Sequence, residues 1–149
     1  MLNEDYKEML QILSGNEVKF LVVGAYAMGA HGYPRATGDI DIWVEPTQSN
    51  SKAVYRSLIA FGAPVGDIDE KTFVEKGIIF QIGVAPRRID IITQLSGLEF
   101  NEAYRQHETI DVEGLALPFL CRGDLIKNKK ATGREKDRLD ADRMEHRAQ

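Results

Sequence analysis

The chain has 149 residues, of which 43% are hydrophobic and 28% are charged, and its formal net charge is −4. This length and composition are those of one globular domain and exclude a disordered, collagen-like or coiled-coil protein. The net charge excludes a generally basic coat for nucleic acid, although a local basic patch is still allowed. A single cysteine, Cys121, excludes an internal disulfide and a multi-cysteine zinc site.

The N-terminal residues are acidic and lack the basic-then-apolar order of a signal peptide. The longest weakly polar run, 20–30, is shorter than the ~20 residues that a membrane helix needs. We therefore expect a cytoplasmic protein that has no membrane partner.

Hydrophobic periodicity and turn residues predict an alternation of helices and strands. The first half of the chain is predicted to form a helix over 2–13, a strand over 19–23, a helical turn over 25–30, a loop over 32–38, a strand over 39–45 and a helix over 49–61. The second half is predicted to form strands over 77–83 and 87–93, a short helix over 99–107 and a hairpin over 109–117. A helical tail follows from 122 and breaks near 132–133. The pattern predicts an α/β (α+β) fold, with a small mixed β-sheet core flanked by helices and a helical C-terminal extension. We expect one domain over 1–149, with its core at about 18–120 and its tail at about 122–147.

The strand over 39–45 carries two acidic residues where a core strand has none. Alternate side chains of a strand share a face, so Asp39 and Asp41 project together while Ile40 and Ile42 point to the opposite face. Two neighbouring carboxylates repel each other unless a cation neutralises them, and Mg²⁺ prefers such oxygen ligands. The alternative is a solvated edge face with two ordinary aspartates.

A second aliphatic strand carries a third acidic residue. Asp90 shares one face of the strand over 87–93 with Arg88. If this strand pairs beside the strand over 39–45, Asp90 completes a cluster of three carboxylates, which can hold two metal ions for in-line phosphoryl transfer. The alternative is that Asp90 is simply an ion-pair partner of Arg87 or Arg88.

The turn at Gly24 and Ala25 follows a buried strand, and a glycine there lets backbone N–H groups approach a phosphate. The turn is not a Walker loop, since Ala30 and His31 stand where Lys and Ser or Thr are required. It is not a dinucleotide fingerprint either, because Tyr26 replaces the second glycine.

Together these segments resemble the polymerase-β-like nucleotidyltransferase superfamily, and most closely its AbiEii-type branch, which includes toxins of type IV toxin–antitoxin systems and the MenT toxins. That branch has a Gly-Gly-x-Ala turn, then His-Gly, then Arg-x-Thr-x-Asp-x-Asp. The matching residues are Gly24, Ala27, His31, Gly32, Arg35, Thr37, Asp39 and Asp41. The tail is also similar to that branch, through Lys129, Gly133, Arg134, Lys136, Asp137 and Asp140.

The resemblance implies roles for these residues. Asp39, Asp41 and Asp90 would be catalytic and would bind Mg²⁺, with two ions expected. Gly24 and Ala25 would form the turn that cradles the nucleotide phosphates, although the serine or glycine of the family pattern is absent at Ala25. The other roles implied are a triphosphate contact for Lys129, orientation of a basic group by Asp137, and contacts to nucleotide or acceptor by Arg35 and Thr37.

Residues 122–138 carry a local charge of +4, so the remainder of the chain carries −8. Helical spacing places Lys129 along the inner edge of the apolar face formed by Leu125 and Ile126, where its ammonium would suit a phosphate or, alternatively, snorkel over the core. An acidic half beside a basic tail suits a metal site next to a polyphosphate or an RNA backbone, although a charge run is often only a solvated face.

The sequence thus predicts a Mg²⁺-dependent nucleotidyltransferase that moves a nucleoside monophosphate from an NTP to an acceptor hydroxyl. By resemblance, the acceptor is a tRNA end or a protein, a toxin role is expected, and a cognate antitoxin is a candidate partner. Two alternatives stay open: a non-catalytic nucleotide- or RNA-binding module derived from the same fold, supported by Ala25, and a small-molecule nucleotidyltransferase of the aminoglycoside-modifying type.

Overall fold

A computed structural model describes residues 2–33, 38–84 and 86–147 of the chain. The helices are α1 (Glu4–Gly15), α2 (Gly24–Ala30), α3 (Gln48–Phe61), α4 (Phe100–Arg105), α5 (Arg122–Ala131) and α6 (Glu135–Arg147). The strands are β1 (Phe20–Val23), β2 (Asp39–Val44), β3 (Ile79–Ile82), β4 (Arg88–Ile92), β5 (Glu108–Val112) and β6 (Leu115–Phe119). The predicted mixed α/β fold with C-terminal helices is therefore confirmed.

The strands form one mixed sheet in the order β3-β4-β2-β1-β6-β5. Strand β2 pairs antiparallel with β1 and parallel with β4, so the two strands that carry acidic residues lie side by side. In the register of this parallel pair, Asp39 lies opposite Arg88 and Asp41 lies opposite Asp90. The pairing that the sequence analysis required for a three-carboxylate cluster is present.

Local sequence explains where the helices begin and end. The side chain of Asn3 accepts a hydrogen bond from the backbone N–H of Tyr6 at 2.9 Å, and Thr47 caps α3 in the same way through Asn50. At the other end of α3, Gly62 adopts φ +91°, a left-handed conformation that glycine adopts without a steric penalty. Such caps satisfy backbone groups that helix ends otherwise leave unpaired.

The core includes the side chains of β2 that point away from the acidic face. Ile40 and Ile42 are buried, and helices α1 and α3 pack against each other. The buried side of α1 consists of Tyr6, Met9, Leu10 and Leu13. At the C-terminus, α5 and α6 pack together, and α5 also contacts α2.

Tyr6 connects this helical layer to the start of both acidic strands. Its hydroxyl donates to the backbone carbonyls of Gly38 and Arg88, the latter at 3.1 Å. Burial and the nearby charge of Tyr26 and Asp39 raise the pKa of Tyr6 to about 12, so the hydroxyl stays protonated and remains a donor. Helix α1 thus holds the beginnings of β2 and β4 together from beneath the site.

One short element lies outside the predicted pattern. A single 3-10 turn at Thr72–Val74 buries Phe73, and the backbone N–H of Phe73 donates to the hydroxyl of Ser51 on α3 at 2.9 Å. No helix in the described part of the chain combines the length and apolar character needed to cross a membrane.

Candidate active site

Six of the predicted site residues line one cleft of about 460 Å³. They come from four places in the chain: the turn after β1, strand β2, helix α5 and helix α6. They are Gly24, Ala25, Asp39, Asp41, Lys129 and Asp137. The cleft therefore has an acidic wall on the sheet and a basic wall on the C-terminal helices.

Four charged side chains form a two-by-two arrangement on the sheet at the acidic wall, although only Asp39 and Asp41 of the four line the cleft. Because β2 and β4 are parallel and in register, Asp39 and Asp41 stand directly beside Arg88 and Asp90. Arg88 Nε donates to Asp90 Oδ1 at 2.8 Å, and its Nη2 donates to Asp39 Oδ2 at 2.8 Å and to Asp90 Oδ2 at 3.2 Å. Asp90 is only 7% exposed and does not itself line the cleft. Asp90 is thus an ion-pair partner of Arg88 and also a neighbour of the other two carboxylates.

Asp41 lies where the charges are least compensated. Burial, the negative charges of Asp90 and Asp39, and a hydrogen bond with Asp90 raise the pKa of Asp41 to about 6, and the positive charge of Arg88 only partly opposes this. One guanidinium is therefore too little for three carboxylates. Of the three carboxylates, Asp41 is therefore the one that an additional cation or a proton would stabilise most.

Replacing Asp41 with asparagine is expected to stabilise the fold by about 1–2 kcal/mol at pH 7.5 in EDTA, because it removes a disfavoured charge. Between pH 3.8 and about 6 the folded protein retains a proton that the unfolded chain has lost, so stability falls as the pH rises through this window. Urea unfolding at pH 4 and 7.5 measures the effect, which should be nearly absent at pH 4. An equal gain at both pH values, or the same gain in the exposed control Asp142→Asn, would contradict a charge effect.

The turn after β1 is built around the carboxylate of Asp41. Val23, the last residue of β1, pairs with Asp41, and Gly24 follows with φ +67°. A Cβ atom on Gly24 would lie 2.5 Å from Asp41 Oδ2. The glycine therefore serves both a left-handed turn and the close approach of the carboxylate, a second requirement that the sequence alone did not indicate.

Asp137 is the centre of a polar network on the opposite wall. It accepts hydrogen bonds from Lys129 Nζ at 3.2 Å, Thr132 Oγ1 at 2.8 Å and Arg134 Nε at 2.7 Å. Burial raises the pKa of Asp137, but hydrogen bonds from Thr132 and Lys129 and the charges of Lys129 and Arg134 outweigh it and hold the pKa below its ordinary value. Asp140 lies 3.5 Å from Lys129 Nζ, so two carboxylates fix this ammonium.

Lys129 is 13% exposed, whereas Lys127 and Lys130 of the same helix are exposed. This is the placement that the helical spacing predicted, at the inner edge of the apolar face. Its ammonium reaches the cleft edge beside Arg134 and Lys136, which also line the cleft.

The remaining predicted residues differ in position. Arg35 and Thr37 lie outside the described residues. His31 ends α2, and its Nε2 lies 2.8 Å from the carbonyl oxygen of Leu120, which attaches the helix to the end of β6. Trp43, which follows the two aspartates on the same face of β2, is buried with its ring edge-to-face on Phe100 (centroids 5.2 Å apart), so it belongs to the core and does not line the cleft.

The donor chemistry of the acidic wall suits Mg²⁺, since three carboxylates converge from adjacent strands. Their present arrangement does not form a ready cage: in residues 2–33, 38–84 and 86–147, no group of three or more His, Cys, Asp or Glu side chains is placed to hold a metal ion. Arg88 already binds oxygen atoms of Asp39 and Asp90 that a metal ion would also use.

Sequence reasoning missed several polar groups of the cleft. Asn128 donates to the carbonyl oxygen of Ser96 at 3.0 Å and so attaches α5 to the segment after β4. Gln94 and Ser96 line the cleft in that segment, and Thr132 does so at the end of α5. Asn128 precedes Lys129 in a helix whose buried side is already marked by its apolar residues. Helical periodicity could therefore have predicted that Asn128 faces inward. No local signal marks Gln94 or Ser96.

No protein-family model and no curated protein sequence matches the chain. Among solved structures, the chain is similar to the crystal structure of "a putative nucleotidyltransferase (TM1012)" from Thermotoga maritima, solved at 1.87 Å resolution. The similarity covers 99% of this chain and 96% of that chain, with a TM-score of 0.65 and 14% sequence identity. At this identity the likeness concerns the fold, so the chain has a nucleotidyltransferase-like fold.

Proposed function

We propose that the chain is a nucleotidyltransferase that transfers a nucleoside monophosphate from an NTP to an acceptor hydroxyl. The observation that carries the proposal is the cleft itself, in which the acidic wall of Asp39 and Asp41 faces the basic groups of Lys129, Arg134 and Lys136. A polyphosphate needs positive charge along its oxygens, whereas a reacting hydroxyl needs a proton acceptor beside it. The two walls supply these two requirements on either side of one cleft.

In the proposed reaction the acceptor oxygen forms a bond to the α-phosphorus, and the bond from that phosphorus to the bridging oxygen of the β-phosphate breaks. Pyrophosphate leaves with the electron pair of the broken bond. Asp41 is the proposed acceptor of the hydroxyl proton, since its carboxylate lines the cleft beside the turn at Gly24 and Ala25. The backbone at Gly24 and Ala25 and the side chain of Lys129 position the triphosphate.

Asp39, Asp41 and Asp90 would hold Mg²⁺, with two ions expected. When bound, Mg²⁺ supplies charge neutralisation at the phosphates and activation of the attacking oxygen. Ala25 lacks the hydroxyl or flexibility of the family pattern, so this chain relies on backbone N–H groups and on the basic wall for the terminal phosphates. We expect weaker nucleotide binding as a result.

The proposed acceptor is a tRNA end or a protein hydroxyl, and the proposed role is the toxin of a type IV toxin–antitoxin system with a cognate antitoxin. The resemblance of 22–45 and of the tail to AbiEii-type proteins supports this choice. The basic tail supports it further, because Lys127, Lys130 and Arg138 are exposed on the two C-terminal helices whose other residues line the cleft.

A specific observation favours a second candidate, a nucleotide- or RNA-binding module without catalysis. The positive charge of Arg88 partly neutralises the negative charge of the acidic cluster. Such an internal counter-ion is compatible with a protein that no longer needs a metal ion at this position. Ala25 points in the same direction, whereas the retention of all three aspartates favours the enzyme.

A transfer assay separates the two candidates. The purified protein is incubated with Mg²⁺ and each of the four α-labelled NTPs, alone, with total tRNA, and with a panel of small acceptors that includes aminoglycosides. We expect label transfer to tRNA or protein by the wild type and by Asp142→Asn, and none by Asp41→Asn, because Asp41 lines the cleft whereas Asp142 is exposed and does not. Nucleotide binding without transfer to any acceptor would support the binding module.

A further inference from the structure

Arg88 lies within the acidic cluster of Asp39, Asp41 and Asp90. Its guanidinium binds both oxygens of Asp90 and one oxygen of Asp39, at 2.8, 3.2 and 2.8 Å. Planar guanidinium groups match carboxylates in this forked way, and the resulting charge-assisted hydrogen bonds are among the stronger ones in proteins. The side chain is therefore held in place by two strands at once.

The register of the sheet brings these groups together. Asp39 pairs with Arg88 and Asp41 pairs with Asp90, so all four side chains leave the same face of two adjacent parallel strands. Three negative charges and one positive charge leave this group at −2. An internal cation at this position stabilises the folded protein, because three uncompensated carboxylates would repel one another.

The same contact obstructs a metal ion. Mg²⁺ requires oxygen ligands at about 2.0–2.1 Å in near-octahedral geometry, and it cannot share the lone pairs that the guanidinium uses. The positive charge of Arg88 also repels a second cation at contact distance. Among the described residues, no group of three acidic, histidine or cysteine side chains is placed to hold a metal ion.

Arg88 has a route out of the cluster. Its side chain is 30% exposed and that of Asp39 is 31% exposed, whereas that of Asp90 is only 10% exposed. The guanidinium can therefore turn towards solvent without crossing the core, and the contact to Asp39 is the more accessible of the two ion pairs.

We propose that Arg88 is a displaceable internal counter-ion that competes with the divalent cation for Asp39 and Asp90. This inference rests on the proposed function, since it concerns the cation of the same site. In the metal-free protein Arg88 takes the place of the cation and preserves the fold. It also lowers the affinity for a divalent ion, so that a cation arriving with the nucleotide phosphates has an advantage over the free ion.

The test is a titration of the 149-residue chain with Mn²⁺ in the absence of nucleotide, followed by electron paramagnetic resonance of the free ion. Arg88→Gln removes the positive charge and the paired hydrogen bonds of the guanidinium. Arg87→Gln is the matched control, because Arg87 is exposed and adjacent in the chain. We expect Arg88→Gln to bind Mn²⁺ about tenfold more tightly than the wild type, and Arg87→Gln to bind like the wild type.

Thermal unfolding gives a second readout. In EDTA, Arg88→Gln should melt below the wild type, and Mn²⁺ should raise its melting temperature by more than it raises that of the wild type. If Arg88→Gln does not fold, Arg88→Lys is used in its place. A lysine keeps the positive charge but cannot form the paired hydrogen bonds of a guanidinium, so we expect Mn²⁺ affinity to rise about two- to threefold.

Affinity in Arg88→Gln that is unchanged or lower than in the wild type would overturn the inference, and a lower affinity would make Arg88 a positioning residue for Asp90. Failure of both proteins to bind Mn²⁺ would overturn it as well. The outcome is independent of transfer activity: a tighter Mn²⁺ site in a protein without transfer would retain this inference and remove the proposed function.

Discussion

Replacing Asp137 with alanine is expected to lower the free energy of unfolding by about 2–4 kcal/mol, because it removes a buried carboxylate that accepts hydrogen bonds from the mostly buried Lys129 side chain and from Thr132. Asp137 is 4% exposed and accepts hydrogen bonds from Lys129, Thr132 and Arg134. Among these donors, Lys129 retains a second carboxylate, that of Asp140. Since these contacts join the end of α5 to the start of α6, the loss should also loosen the packing of the two helices.

Urea unfolding of the wild type, Asp137→Ala and the control Asp142→Ala measures this effect. Asp142 lies on the same helix and is exposed, so its replacement should change stability by less than about 0.5 kcal/mol. The pKa of Asp137 is held below its ordinary value of 3.8, so its stabilisation is fully present above that pH and is lost as the pH falls further. Equal losses in the two variants would show that Asp137 is not the centre of the network.

Nucleotide binding should weaken in the same variant. Without Asp137, Arg134 loses its carboxylate partner and Lys129 keeps only that of Asp140, so both side chains are held less firmly and their interaction with a triphosphate has a larger entropic cost. Equilibrium binding of a labelled NTP measures this loss at a temperature where the variant is still folded.

Replacing Gly24 with alanine is expected to reduce nucleotidyl transfer about 100-fold, because a displacement of reacting groups by about 1 Å has an effect of that size. The added Cβ would lie 2.5 Å from Asp41 Oδ2 and 3.3 Å from its Cγ, so the carboxylate must move. The φ of +67° at this position adds a steric penalty of about 1–2 kcal/mol for any residue other than glycine.

The matched control is Gly29→Ala in the same helix. A Cβ at Gly29 meets no atom within 4 Å, and alanine is the better helix former, so this variant should be as stable as the wild type or more stable by up to about 1 kcal/mol. Transfer kinetics and thermal melts of both variants provide the comparison. Normal transfer by Gly24→Ala would show that the position of the Asp41 carboxylate does not matter for the reaction.

The secondary structure follows from local patterns. The period-2 alternation of Asp39, Ile40, Asp41 and Ile42 predicts a strand with one acidic face, and β2 is that strand. The helical phase of α5 places Lys129 inward in the same way. The 3-10 turn at Thr72–Val74 was not predicted, because a single turn has no periodicity and depends on the burial of Phe73 against α3.

Strand alternation alone could not decide whether Asp90 is a metal ligand or an ion-pair partner. The alternation places Arg88 and Asp90 on one face, and both interpretations agree with that. Only the side-chain contacts reveal that Arg88 also reaches Asp39, 49 positions earlier in the chain. Which carboxylates share one guanidinium depends on the rotamers of four packed side chains.

By itself, the amino-acid sequence determined the elements, the faces of the strands and the acidic and basic halves of the chain, because these are consequences of backbone geometry and residue type over a few neighbouring positions. Only the tertiary structure decided that Asp41 lies beside Asp90, that Gly24 makes room for the Asp41 carboxylate, and that Asp137 fixes Lys129. Those contacts join segments that are distant in the chain or separated by a turn. Their formation depends on the packing free energy of the whole domain, which no short pattern contains.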